Sequence, residues 1–257
     1  MRYFLHLAYN GTAYRGWQRQ SNGRGVQEVL ETKLSRMFHQ SVTLHACGRT
    51  DAGVHAQQFF AHTTLPAAWD FDAVFRINQM LPPDIRVFDF LPVADDANAQ
   101  LDVVDRTYDY YFHTESNPFL SSFSSYYDVS ASGVGEMQNA AQLLTTYQDF
   151  KSFCKQPDRY RHTRCEVREV QLKKHPTVRY YRFRIRANRF LKSMVRLLVA
   201  DLIRVGQGEL SLVAFEQKLQ RPQAIHTARY AYPQGLFLSH VRYPYLDLPT
   251  AAVLGWP

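Results

Sequence analysis

The chain has 257 residues, 46% of them apolar and 21% charged, with 30 Lys and Arg against 23 Asp and Glu. That length can bury a full core, as one large domain or two of roughly 100–150 residues, and the balance is that of a soluble globular protein, neither disordered nor fibrous. No apolar run approaches the roughly 18 residues of a membrane span, and three cysteines (Cys47, Cys154, Cys165) without C-x-x-C spacing argue against a disulfide framework or a zinc site, so a reducing, cytoplasmic compartment is expected.

Tyr3 to Tyr9 has strand character, not that of a signal peptide, and Asn10-Gly11 is a strong turn signal. Val26, Val29, Leu30, Leu34, Met37 and Phe38 recur at helical spacing, which predicts a helix over Val26–Phe38. Strand-like runs follow at Val42–Ala46 and Val54–Phe60. Asp70 can cap a second helix that buries Phe71, Val74, Phe75 and Ile77 and stops at Pro82-Pro83, before a strand at Ile85–Leu91. A Tyr-rich strand, Arg106–Thr114, leads to a Ser-rich stretch, Glu115–Gly135, that reads as a linker. A second unit then repeats the order: helix Glu136–Tyr147, strands Glu166–Lys174 and Val178–Ala187, helices Phe190–Val205 and Ser211–Gln220, and strand Leu236–Tyr243. The expected class is α+β, with two similar units, 1–105 and 106–257, whose mainly antiparallel sheets join into one extended central sheet flanked by helices.

Charge is unevenly spread. Residues 151–204 carry 16 Lys and Arg against 4 Asp and Glu, and the remainder carries 14 against 19. All the excess positive charge therefore sits in one region, which points to a polyanion, most simply a nucleic acid. Arg182, Arg184 and Arg186 alternate onto one face of a strand, an arrangement that a solvated face explains as well as RNA does. Lys155, Arg159, Tyr160, Arg161 and Arg164 instead pack basic and aromatic residues into a loop, a composition that holds phosphates and stacks bases. The cluster Tyr14-Arg15-Gly16-Trp17-Gln18 has the same character.

The most informative element is Gly48-Arg49-Thr50-Asp51-Ala52-Gly53-Val54-His55-Ala56. It places a carboxylate two positions from a guanidinium in a glycine-flanked turn. Asp51 is then a nucleophile or general base beside an anion-binding or base-stacking group, or it simply caps the turn through nearby backbone N–H groups. An aromatic ring such as Tyr108 could stack a flipped base while a carboxylate attacks it. The ten histidines are scattered, and neither metal-ligand spacing nor a Gly-rich phosphate loop is present, so chemistry without cofactor or metal is expected.

The ordered set Tyr9-Asn10-Gly11-Thr12-x-Tyr14-x-Gly16-Trp17-Gln18-x-Gln20, Val26-Gln27, Gly48 to His55, Arg106-x-Tyr108-x-Tyr110, Met194-Val195-Arg196 and Gly235-Leu236-x-Leu238 resembles the tRNA pseudouridine synthase A family over nearly the whole chain. The resemblance implies the pseudouridine synthase fold and a cofactor-independent isomerase. It would convert uridine to pseudouridine at positions 38, 39 and 40 of the tRNA anticodon arm, as a homodimer with no membrane partner. It makes Asp51 the catalytic Asp, attacking at C1′ or at C6. Arg49 becomes the residue that replaces the flipped base, Tyr108 the ring that stacks on the uracil, and Arg196 a basic neighbour of the carboxylate. Arg15, Trp17 and Gln18, with Lys155, Arg159, Arg161 and Arg164, are the expected RNA contacts. Just before the Tyr strand the family shows a His-Ala-Arg or similar triplet; this chain has Asn98-Ala99-Gln100. The alternative from another class is a tRNA-binding or tRNA-folding module with little or no catalysis. Retention of Asp51 argues against it, since a pure binder gains nothing from a carboxylate facing phosphates.

Overall fold

A computed structural model describes residues 1–225 and 227–248, and it divides into two compact units. Both are mixed α/β, with mainly antiparallel strands. Unit 1 holds Met1–Val104 together with residues 237–248; unit 2 holds Asp105–Leu236.

Unit 1 runs β1 (Arg2–Tyr9), α1 (Val26–Phe38), β2 (His45–Ala46), β3 (His55–Thr64), α2 (Ala73–Met80) and β4 (Ile85–Pro92). The central strand β1 pairs antiparallel with β4 on one side and with β3 on the other, from Arg2↔Thr64 to Tyr9↔Ala56. Its burial follows from its composition: Phe4, Leu5 and Leu7 are fully buried, with Phe4 on the opposite face of the strand from Leu5 and Leu7, and Val26, Leu30 and Leu34 form the buried stripe of α1. The second helix starts two residues later than its sequence signal. The side chain of Asp72, not Asp70, accepts from Phe75 N at 2.8 Å, and Phe75 points outward, 64% exposed.

Unit 2 runs β5 (Asp105–His113), β6 (Ser125–Tyr126), α3 (Ala131–Gln142), β7 (Val167–Lys174), β8 (Tyr180–Ala187), α4 (Met194–Gly206) and α5 (Leu212–Gln220). Strand β8 is central, antiparallel to β5 from Arg106↔Ala187 to His113↔Tyr180 and antiparallel to β7. Helix α4 fills the core with Met194, Leu197, Leu198 and Leu202, against Phe153 and Phe215 from neighbouring segments. Helix α3 begins five residues before its expected start, because Ser130 Oγ caps it by accepting from Gly133 N. The stretch Glu115–Gly135 is therefore more than a linker: it contains β6 and the first turn of α3.

The last strand, β9 (Leu236–Arg242), corrects the expected division at 106–257. It pairs in parallel with β3, through His55↔Phe237 and Ala56↔Leu238, and so from Phe237 onward it belongs with unit 1.

Candidate functional site

In unit 1 the two motif segments, 9–17 and 48–56, are one structure. The Asp51 turn is braced from behind by backbone. Trp17 N donates to Thr50 O at 3.3 Å, Gly53 N donates to Tyr14 O at 3.2 Å, and Val54 N closes the turn on Asp51 O at 3.2 Å. Side chains add to this. The Tyr9 hydroxyl meets Thr50 Oγ1 at 2.8 Å in a buried contact, Gly11 N donates to His55 Nδ1 at 3.1 Å, and the His55 ring stacks on Phe237 at 4.5 Å. Such close approach needs glycine. A Cβ on Gly16, whose φ is +85°, would lie 2.3 Å from Thr50 O, and one on Gly11 would lie 2.0 Å from Val54 O. Gly53 itself takes φ +75°.

On this frame Thr50 points inward and is buried, Arg49 points out into solvent, and Asp51 is half-buried. The order exposed, buried, half-buried over residues 49–51 leaves the carboxylate accessible on a turn that cannot easily move. Tyr14 and Trp17 belong to the frame. The Tyr14 hydroxyl donates to Asp84 Oδ1 at 2.6 Å; burial first, and then that carboxylate, push the phenol's pKa up. Trp17 is 2% exposed and stacks on Phe59 at 4.2 Å, which corrects its expected role as an RNA contact. Arg15 and Gln18 are exposed beside it. The triplet Asn98-Ala99-Gln100 is tightly pinned: Asn98 Oδ1 accepts from the backbone N–H of Gln100 and Leu101, Ala99 N donates to His62 Nδ1, and Tyr243 Oη donates to Ala99 O. Gln100 is presented outward.

In unit 2, Tyr108 on β5 is half-buried, its ring held edge-on by Phe190 at 5.0 Å. Arg196, in the first turn of α4, donates from Nε to Ala231 O at 2.8 Å and accepts from Ala231 N at its own carbonyl at 3.0 Å. Its guanidinium carbon lies 5.4 Å from the centre of the Tyr230 ring. The segment that supplies Tyr230 and Ala231 is anchored one residue on: Tyr232 O lies 3.0 Å from the Tyr110 hydroxyl, and Tyr232 N donates to Tyr127 Oη at 3.1 Å. Tyr110 is fully buried, which holds its pKa well above the usual phenol value and keeps it a neutral hydrogen-bonding post.

Two sets of basic residues in unit 2 contrast. Arg184 is clamped by Asp109, its Cα partner across the β5–β8 ladder, through two hydrogen bonds of 2.7 Å. Arg168 donates to Asp105 at 2.6 Å, and Arg186 pairs with Glu169 at 3.1 Å. These charges are cancelled within the fold. Lys155, Arg159, Arg161 and Arg164 are all exposed on the loop before β7. The loop is fixed at both ends, by Lys155 N on Lys192 O and by an antiparallel bridge between Asp149 and Arg164. Among the described residues no group of three or more His, Cys, Asp or Glu gathers as a metal site requires, and no helix is long and apolar enough to cross a membrane.

Residues 140–244 match the family described as tRNA pseudouridine synthase. Across its length the chain is similar to three proteins named tRNA pseudouridine synthase A. The relative from Porphyromonas gingivalis is 36% identical over 95% of this chain and 97% of its own. The one from Bacteroides thetaiotaomicron is 38% identical over 95% and 91%, and the one from Nostoc is 36% identical over 96% and 88%. The chain belongs to the tRNA pseudouridine synthase A family. It is therefore an isomerase of tRNA uridines, and its mixed α/β architecture is that of the family. Sequence reasoning missed Thr50, Tyr9 and His55 as braces of the turn. The only signal for them is their place inside the two motifs, which looks like chemistry and is in large part scaffolding.

Proposed function

We propose that this enzyme forms pseudouridine in the anticodon arm of tRNA, at positions 38, 39 and 40, with Asp51 as nucleophile and the target uridine flipped out of the stack. The braced Asp51 turn is the observation that carries the reading. A half-buried carboxylate on an immobile turn loses little freedom when it attacks, which is what covalent catalysis by a weak nucleophile demands. Attack at C1′ breaks the N1–C1′ bond and leaves the sugar bonded to Asp51; attack at C6 forms an adduct on the base before the same bond breaks. On either route the uracil turns, C5 bonds to C1′, the carboxylate departs and the C5 proton goes to water. Tyr108 stacks the uracil, Arg49 takes the vacated place in the RNA, and Arg196 places positive charge beside the carboxylate. Arg15 and Gln18, with the Lys155–Arg164 loop, hold phosphates and sugars. The enzyme works as a cytoplasmic homodimer and needs no cofactor.

Tritium release from tRNA carrying 5-tritiated uridine tests this. Asp51→Ala is expected to lose about 10⁴-fold in rate while still binding tRNA. Equal release by the two proteins would overturn the role of Asp51. Charge reversal at Arg159, Arg161 and Arg164 is expected to weaken tRNA binding and flatten its salt dependence by roughly one slope unit per lost phosphate contact. Unchanged binding would remove the loop from the interface.

A further inference from the structure

Two rings in unit 2, Tyr160 and Tyr230, each lie against a cation that has no carboxylate within ion-pair distance among the described residues, Arg189 and Lys155. Tyr160, in the basic loop, has the Arg189 guanidinium 5.6 Å from its ring centre, and its hydroxyl accepts from Lys192 N at 2.9 Å. Lys192 Nζ donates to Gln156 Oε1 at 2.9 Å, a neutral partner, and Lys192 O accepts from Lys155 N. Lys155 Nζ in turn lies 5.8 Å from the centre of Tyr230, the ring that Arg196 also approaches at 5.4 Å. The loop 155–160, the segment 189–196 and Tyr230 are thus linked residue by residue. None of Lys155, Arg189 or Lys192 has a carboxylate within ion-pair distance among the described residues.

The physical contrast is with β8. A carboxylate fixes an arginine and removes its charge from any partner, whereas an aromatic face fixes a cation through the ring quadrupole and leaves the full positive charge available. A cation already held in place also loses less side-chain entropy when it meets a phosphate. We propose that Tyr160 and Tyr230 are the two posts of a phosphodiester clamp for a single-stranded stretch of the tRNA substrate, with Arg189 and Lys192 gripping phosphate at the first post and Lys155 at the second. The clamp rests on the tRNA reading above. It adds three residues, Arg189, Lys192 and Tyr230, to the RNA-binding surface and gives Tyr160 of the loop a specific part in it.

The test is tRNA affinity and its salt dependence for the full chain, with an unmodified tRNA transcript as probe. Tyr230→Leu is expected to raise Kd about 5- to 30-fold, the loss of two cation–ring contacts. Tyr230→Phe, which keeps the ring, is expected to stay within about twofold of the parent. Lys155→Met, at an exposed position, is expected to weaken binding and lower the salt slope by about one. In the double variant the two losses are expected to be less than additive, because the ring acts through the cation. Strict additivity, an unchanged Kd for Tyr230→Leu in a protein with native melting behaviour, or a failure of Tyr230→Phe to bind would each overturn the clamp. If Tyr230→Leu does not fold, the exposed Lys155→Met and a Tyr160→Leu variant carry the same test: an unchanged Kd in both overturns it. Wild-type protein that neither binds nor modifies the transcript would instead overturn the tRNA reading itself.

Discussion

Unit 1 and unit 2 solve the same problem, holding a charged side chain still, by different means. In unit 1 the candidate nucleophile stands on a turn fixed by main-chain hydrogen bonds and by glycines that admit a second segment within contact distance. In unit 2 the cations are fixed by their own heads, either on carboxylates such as Asp109 or on rings such as Tyr230. A group that must change its bonding during a reaction is best held by atoms that do not titrate. A group that must only attract is best held by a neutral ring. Arg184 and Arg186 of β8 show the third case, in which the charge serves the fold.

This contrast can be broken most forcefully at Gly16. Gly16→Val forces a β-branched side chain into a left-handed conformation, 2.3 Å from Thr50 O at its Cβ. A loss of roughly 3 kcal/mol or more in stability is expected from denaturant unfolding, with tritium release falling at least about 100-fold in whatever protein remains folded. Full activity would mean that the turn is not held from behind. Next in size is Asp109→Ala. It strands Arg184, whose side chain is 31% exposed, so the cost is set somewhat below that of a fully buried pair, at about 2–4 kcal/mol by chemical denaturation. At fixed salt the tRNA affinity of this variant is expected within about twofold of the parent, since Arg184 is spent on the fold; a larger change would place Arg184 in the RNA interface.

The smallest effect is in unit 1 and depends on pH. Burial first, then the neighbouring His45 and Arg2, lower His62 to about 4, against the opposing pull of Asp102. The folded state therefore keeps His62 neutral, accepting from Ala99 N, while the unfolded chain protonates it near pH 6.5. Its contribution is fully present above that value and is lost as pH falls toward 4. Unfolding free energies at pH 7 and pH 5 are expected to differ by about 2 kcal/mol from this group, and His62→Gln should shrink that difference by a similar amount. An identical pH profile in both proteins would shift the effect to another group.

What the sequence makes legible follows the range of the interaction involved. Helix α1 is readable to the residue because its apolar spacing is local, and β1, β4 and β8 are readable because alternation and turn residues are local too. The start of α2 is misread because Asp70 and Asp72 are equally good caps by composition, and only the packing of Ala73 and Ile77 chooses between them. Trp17 looks like a surface contact among Arg15, Gln18 and Arg19, since nothing local reveals that Phe59 lies against it. Arg184 is ambiguous for the same reason: its neutralisation needs the register Asp109↔Arg184, a fact of pairing across 75 residues. At the site itself, the expectation of a reactive carboxylate in Gly48–Ala56 comes from the motif, but the bracing by Tyr9, Tyr14 and Trp17 appears only once the two segments meet.

The parallel pairing of β9 with β3 has a consequence for synthesis. His55, four residues from Asp51, takes its stacking partner Phe237 and its outer-edge hydrogen bonds from a strand translated more than 180 positions later. Loop closure over that distance is slow compared with local helix formation, so the first unit cannot complete itself as the ribosome delivers it. The His55 end of β3, next to the Asp51 turn, therefore lacks its outer partner until β9 has been made. The surroundings of the turn are completed by a strand distant in sequence.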